Sequence, residues 1–363
     1  MRFPEFEGEW EVNKLEKVCK MKAGKFVSAN EIYANKNNDL FPCYGGNGLR
    51  GYTKSFNHNG IYSLIGRQGA LCGNVTLATE KFHATEHAVV VTPNNNIDTI
   101  WMFYLLTNLN LNQYATGMAQ PGLSVQNLEE IETIFPKSKI EQQKIASFLS
   151  LIDERISTQK KIIGELTVLK ATTAKKIFLQ ELKFKDDNGN DFSEWEIKIL
   201  GEVLDYEQPT NYLVSSTEYD DWFETPVVTA GKTFILGYTN ETKGIFEKEK
   251  LPVIIFDDFT TASQFVDFPF KTKSSAMKIL KSKKNNNIKF VFEAMQMINY
   301  EIGGHGRHWI SVFSNLEILL PCYEEQTKIA NFLSSLDEKI EVEKSLLQQY
   351  ENQKKYLLAN LFI

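Results

Sequence analysis

No stretch of this chain approaches the roughly 18 consecutive apolar residues that a membrane-crossing helix needs, and the opening MRFPEFEGEW has no apolar core of the signal-peptide kind. Both absences point to a cytoplasmic protein. Cysteine is scarce: Cys19, Cys43, Cys72 and Cys322 are the four among 363 residues, and no two stand at disulfide-framework or metal-ligand spacing. That usage fits a reducing compartment, with the thiols serving as small packing residues. A surplus of positive charge is also missing, the formal net charge being −6. The deficit does not exclude a nucleic-acid partner, because phosphate contact depends on local clustering of Lys and Arg rather than on the overall sign. Residues 1–140 hold 13 acidic and 13 basic side chains and residues 182–322 hold 21 and 15, so any basic face must be local.

Catalytic signatures are lacking too. No NPP[FY]-type tetrapeptide of the kind that grips a flipped adenine occurs, TPNN at 92–95 being a turn, and no paired acids followed by lysine suggest a nuclease. The stretch AGKT at 230–233 imitates the end of a phosphate-binding loop, and VIIFDD at 253–258 imitates a strand ending in metal-binding aspartates. The loop motif, however, needs a glycine five residues before Gly231, where the chain has Pro226, which offers no N–H. Asp257 and Asp258 are therefore expected to end a strand near a binding surface. His305 and His308 are too few for a metal site without further ligands. The expectation is a chain with no catalytic residue, no metal and no bound cofactor.

What the chain does have is a duplication. EQQKIASFLSLIDERI at 141–156 returns as EQTKIANFLSSLDEKI at 325–340, with eleven of sixteen positions identical at a separation of 184. A repeat at that distance is a duplicated half-protein, not a solenoid period. Ile145, Leu149, Ile152, Ile156, Ile163 and Leu166 follow the 4,3 spacing of a heptad seam. Ile329, Leu333, Leu336, Ile340, Leu347, Tyr350 and Leu357 keep the same frame. Both stretches are free of proline, so each predicts a helix of roughly 40 residues, about 60 Å long. Neither can bury its stripe alone, and the other copy offers the matching stripe. Polar residues interrupt the seam at equivalent places, Gln159/Glu343 and Lys170/Lys354, as register-fixing positions do.

The duplication extends upstream. Trp10–Val18 is echoed by Trp195–Val203, and the polar linker KDDNGND at 185–191 separates the halves. The predicted layout is a globular domain at 1–140, a helix at 141–182, a second domain at 183–322 and a second helix at 323–363. Between opening and helix the copies diverge. Apolar runs such as Ile61–Ile65 and His87–Val91, broken by glycine turns, predict strands, and Thr99–Thr107 predicts a helix. The fold class expected is mixed α+β in both halves, with the two long helices pairing as an antiparallel coiled coil.

With its EQxKIAxFLSxxDExI start, the chain resembles the specificity subunit of type I restriction–modification enzymes. The glycine run Gly66–Gly73, AQPGLSVxNL at Ala119–Leu128 and GGHGRHWIS before the second helix carry the same resemblance, which covers essentially the whole chain. It implies two target recognition domains, each reading half of a bipartite site in double-stranded DNA. The coiled coil would space the half-sites and dock two methyltransferase subunits, with motor–nuclease subunits joining through them. S-adenosylmethionine, ATP and Mg would belong to those partners. Because the two middles differ, the DNA site should be asymmetric.

Glycine-rich loops bearing polar, aromatic or basic side chains are the candidates for DNA contact, since glycine lets backbone approach phosphate and Arg can fork onto phosphate or guanine. In the first domain these are Gly45, Gly46, Asn47, Arg50, Tyr52, Arg67, Gln68, Gln120 and Ser124. In the second they are Lys232, Thr233, Tyr238, Lys271, Lys273, Lys278, His305, Arg307 and His308. A DNA-touching loop accounts for Gly303, Gly304, His305, Arg307 and His308 better than its alternative, a structural loop, and Lys281, Lys283 and Lys284 also read as a solvated turn. Asp153, Glu154, Asp337 and Glu338 are the candidates for gripping partner subunits. The rival from another class is a scaffold with two protein-binding heads, which would lack the steep salt dependence of phosphate contact.

Overall fold

The computed structural model describes residues 1–69, 71–117, 121–231, 233–283, 285–300 and 308–362. The chain divides into two compact units, Met1–Lys161 with Lys344–Ile363, and Ile162–Glu343. The unit boundaries fall inside two long helices, Lys139–Phe178 and Tyr323–Leu361, so each unit owns half of each helix. Gly164, the glycine inside the first long helix, has open space around it and disturbs no packing.

In the first unit, strand Glu11–Lys14 pairs antiparallel with Glu132–Phe135, closing the globular part at its two ends. A four-stranded sheet follows in the order Cys19–Ala23, Ala88–Pro93, Tyr62–Gly66, Val75–Ala78. Behind it lies a second sheet, ordered Gly48–Thr53, Phe41–Gly45, Lys81–Ala84, His58–Asn59. The run AVVV reads as uninterrupted apolar sequence because its strand is covered on both faces. Val89 and Val91 enter the core built with Trp101, Leu105, Leu149 and Ile152, whereas Ala88 and Val90 enter the core with Phe82 and Leu64. Successive side chains on a strand point to opposite faces, and here each face has its own core. Helix Thr99–Asn108 starts at Asp98, whose carboxylate accepts from the backbone N–H groups of Ile100 and Trp101 at 3.0 and 2.9 Å.

The second unit repeats this plan with different residues. Glu196–Ile199 pairs with Glu317–Leu320, and the four-stranded sheet runs Leu204–Glu207, Met277–Ser282, Val253–Asp257, Ser263–Val266. Its companion sheet is ordered Ile235–Thr239, Thr225–Val228, Lys271–Thr272. Even the parallel pairing recurs: Cys43–Tyr44 lie beside His83–Ala84, as Val227–Val228 lie beside Lys271–Thr272. Ile254 and Phe256 face one core, Val253 and Ile255 the other. Helix Ile288–Gln296 is capped by Asn287 as its counterpart is by Asp98. Sequence divergence between the two middles therefore stops short of the sheet order, which is duplicated except that strand His58–Asn59 is matched in the second unit by an isolated bridge, Phe246 to Phe270.

The conserved heading of the long helices has a structural reason. Glu141 and Gln142 are buried, as are Glu325 and Gln326. Each glutamate accepts the indole N–H of the opening tryptophan, Trp10 at 3.2 Å and Trp195 at 3.0 Å. Each glutamine accepts from the backbone at the start of the capped helix (Asp98 N at 2.7 Å, Asn287 N at 2.8 Å) and donates to the carbonyl of Pro136 or Pro321. A buried polar pair of this kind is stable only with its partners in place, so it locks helix, strand and cap into one arrangement.

Within the first unit the long helices run antiparallel: Lys160 meets Glu351 at 2.8 Å and Asp153 meets Lys354 at 2.5 Å. Leu149, Ile152 and Ile156 share a core with Leu357 and Leu361. In the second unit Lys170 meets Asp337 at 2.6 Å, and Ala174 and Ile177 share a core with Ile329, Ala330 and Leu333. The interrupting lysines of the heptad frame are thus the cations of two equivalent ion pairs, Asp153–Lys354 and Asp337–Lys170. Among the described residues no helix is long and apolar enough to cross a membrane.

Candidate nucleic-acid interface

At one end of the first unit the turn of hairpin Phe41–Thr53, the residues after strand Tyr62–Gly66 and the residue before strand Ala88–Pro93 enclose an open cleft of about 540 Å³. Gly45, Gly46, Asn47, Gly48, Leu49 and Arg50 form one wall; Gln68, Gly69 and His87 form the other. The glycines are steric requirements. A side chain at Gly66 would collide with the Gly46 carbonyl, and Gly73 holds a φ of +88° against the backbone of Asn112. Bringing two backbone segments this close leaves a cleft edged by exposed Asn47, Arg50 and Gln68. Arg67 hangs behind it, half buried, with its Nε unpartnered among the described residues. Flexible polar donors above a glycine floor are what base-edge and phosphate contact require.

Five of the sequence candidates, Gly45, Gly46, Asn47, Arg50 and Gln68, line this cleft together, and Arg67 adjoins it. Tyr52 is half buried farther along the same hairpin. Ser124 has a different occupation: its hydroxyl caps helix Val125–Glu129 by accepting from Asn127 N at 3.0 Å. Gln120 lies outside the described residues. His87, Gly48 and Leu49 were not singled out by the sequence; His87 sits at the edge of a run legible only as a strand.

In the second unit the topologically equivalent places are the hairpin turn 229–234, the turn after Asp257 and the residues before Met277. AGKT is therefore the counterpart of the GGNG turn, lying between two antiparallel strands, Thr225–Val228 and Ile235–Thr239. A phosphate-binding loop must be followed by a helix N-terminus, and this one is followed by a strand. The Thr229 hydroxyl pins the turn, donating to the Thr233 carbonyl at 2.8 Å and accepting from Gly231 N at 3.2 Å. Thr233 is exposed and Tyr238 half buried. Lys273 is half buried, with its ammonium 5.8 Å from the centroid of the Tyr219 ring.

Three candidates of the second unit turn inward. Lys278 is 1% exposed and ion-paired at 3.0 Å with Asp258, itself 1% exposed. Lys271 is 2% exposed, pairs with Glu241 at 2.9 Å and donates to the Lys243 carbonyl. His308 is buried beside Tyr300, its backbone N–H donating to the Asp258 carbonyl at 2.9 Å. None of the three presents its side chain at the surface, because each is engaged by a partner of its own: Lys278 by buried Asp258, Lys271 by half-buried Glu241 and His308 by half-buried Tyr300. Asp257 does end its strand, and its carboxylate organises the next turn by accepting from Phe259 and Thr260 N. Lys232, His305 and Arg307 lie outside the described residues.

The four acids expected to grip partners also divide. Asp153 accepts from Lys354 and from the Tyr104 hydroxyl at 2.8 Å. Burial pushes the Tyr104 phenol well above its ordinary value, so it remains a donor. Asp337 accepts from Lys170 and from Lys289 at 2.9 Å. Burial alone would raise the Asp337 carboxyl, but those two lysines outweigh it and hold it below its ordinary value. Both aspartates are thus engaged within their own units. Glu154 and Glu338 are exposed, and Glu154 edges a concavity of about 590 Å³ with Asp98, Gln143, Ser147, Ser150 and Leu151.

The sequence profile of the family described as "Type I restriction modification DNA specificity domain" matches twice, at residues 7–168 and 192–352. The chain is 53% identical over 133 residues to the type I restriction enzyme EcoR124I/EcoR124II specificity subunit of Escherichia coli, covering 36% of this chain and 33% of that one. It is 43% identical over 176 residues to the EcoprrI specificity subunit of the same organism, covering 48% and 43% respectively. The chain thus matches about a third to two fifths of the length of these curated relatives. The crystal structure of a type I restriction–modification S subunit from M. genitalium superposes with a TM-score of 0.73 at 18% identity, covering 100% of this chain and 99% of that one. At that identity the likeness is one of fold.

Proposed function

Because this chain belongs to the type I restriction modification DNA specificity family, we propose that its two units are readers of a bipartite, asymmetric site in double-stranded DNA. The observation that carries the asymmetry is the duplicated topology with unlike turns: one fold presents GGNGLR at a hairpin turn in the first unit and TAGKTF in the second. Identical turns would suit a palindrome; these suit two different half-sites. In the first unit the reading surface is the cleft edged by Asn47, Arg50, Gln68 and His87, with Arg67 behind it. In the second it is Thr233, Tyr238 and Lys273, joined by Lys232, His305 and Arg307.

The chain acts without catalysis of its own, in the cytoplasm. The long helices form the coiled coil that spaces the half-sites and offers Glu154 and Glu338 to two methyltransferase subunits. Those partners, and the motor–nuclease subunits that join them, hold S-adenosylmethionine, Mg and ATP. The direct test is the affinity of the purified chain for a DNA library between 50 and 200 mM salt. A steep linear fall of log K with log salt supports the reading. A flat response returns the scaffold with two protein-binding heads.

A further inference from the structure

The two copies of the buried glutamate are unequally furnished. Glu141 holds a guanidinium: Arg2 donates through Nε to Oε1 at 2.7 Å and through Nη2 to Oε2 at 2.9 Å, beside the Trp10 indole. The segment that delivers Arg2 is anchored by Phe3, edge-on to Phe148 at 5.9 Å, and by Glu5, which pairs with Lys144. In the second unit Phe184 lies edge-on to Phe332 at 5.8 Å, and Asp187 pairs with Lys328 at 2.6 Å. Phe332 and Lys328 are the repeat equivalents of Phe148 and Lys144. Phe184 therefore stands in for Phe3, and the residue before it, Lys183, stands where Arg2 stands. Lys183 is exposed and makes no hydrogen bond to Glu325.

What lies there instead is a cavity of about 230 Å³, walled by the aromatic rings of Phe184, Phe192 and Trp195 and by Glu325, with Lys183 and Asp191 among the charged residues that also line it. Glu325 is 4% exposed, and among the described residues only the Trp195 indole donates to it. Burial accordingly raises its carboxyl above the ordinary value, against the pull of that indole and of the Lys183 charge, which lines the same cavity without hydrogen-bonding to Glu325. A buried carboxylate with one donor is poorly satisfied and costly when ionised. The space far exceeds the roughly 10–15 Å³ that a single water needs.

We propose that this cavity is a binding site for a small guanidinium-bearing molecule, held on Glu325 by the two-pronged fork with which Glu141 holds Arg2. The fork matches a planar guanidinium rather than a point-like ammonium, and the aromatic walls accept its flat face. The occupant is small because Phe184 and Asp187 already fill the neighbouring places of the delivering segment.

The experiment is a titration of the full chain with ethylguanidinium, read on the ¹⁵N-labelled tryptophan indoles, with ethylammonium as the control. The expected result is a saturable shift of the Trp195 indole while the Trp10 indole, whose glutamate is already occupied, stays still. Arg2→Ala should make Trp10 respond as well. Lys183→Arg, supplying the missing guanidinium from the chain itself, should silence Trp195, and Glu325→Gln should do the same. The proposal is overturned if Trp195 does not move, if Trp10 moves equally in the unaltered chain, if ethylammonium gives the same shift, or if Lys183→Arg still responds.

Discussion

Lys278→Met separates the two roles that this lysine could have. In the structure it is an interior cation, paired with Asp258 at 3.0 Å with both side chains 1% exposed. Removing it leaves a carboxylate buried without its counter-charge, and such breakage costs about 3–5 kcal/mol. Asp258 has structural ties of its own, accepting Trp309 N on its side chain at 2.9 Å and His308 N on its carbonyl. Adding Asp258→Asn removes the orphaned charge while keeping an oxygen for Trp309, so most of the loss should return. Replacing a buried pair by uncharged groups is often close to neutral. Urea unfolding of the single and double variants measures both numbers. The DNA affinity of the folded Lys278→Met fraction should keep its original salt slope. If instead Lys278→Met unfolds within 1 kcal/mol of the parent and lowers the slope by about one phosphate contact, the lysine faces DNA and the burial argument fails.

Other consequences are equally direct. Arg50→Ala, at the exposed edge of the first cleft, should weaken DNA binding and lower the salt slope by about 1 without lowering thermal stability. Leu333→Ala, at a fully buried seam position, should cost about 2–5 kcal/mol in urea unfolding. Asp337 has a lowered folded-state value, so its stabilisation is present above the ordinary value of 3.8 and is lost as pH falls through the lowered one. Asp337→Asn should therefore cost about 1 kcal/mol at neutral pH, discounted for solvent at a side chain 35% exposed, and flatten the stability curve below pH 4. A variant with an unaltered acid limb would contradict the assignment of Lys170 and Lys289 as its partners.

The parts legible in the sequence were those written in short-range patterns. The seam residues Ile145, Leu149, Ile329 and Leu333 announced their burial by spacing. Even the polar interruptions at Lys170 and Lys354 were visible as equivalents, though not the aspartates they would meet. Long-range pairing was illegible. Lys271 and Lys278 look like solvent-facing lysines in a basic stretch, and only folding brings Glu241 and Asp258 against them. Ser124 reads as a loop hydroxyl until a five-residue helix begins behind it. The equivalence of the AGKT and GGNG turns left no trace in residue identity, because strand order is specified by the apolar pattern on two faces while the turns are free to differ.

The central claim is that each unit reads its own half of one DNA site. The measurement that meets it most directly is a genome-wide map of methylated adenines in cells co-expressing this chain with the methyltransferase proposed to partner it. The map is taken once with the chain intact and once with Arg50 and Gln68 replaced by alanine. The account predicts a two-part asymmetric motif in the first map, and in the second a motif relaxed in one half only. Methylation indifferent to the chain, or a change spread over both halves, would contradict it.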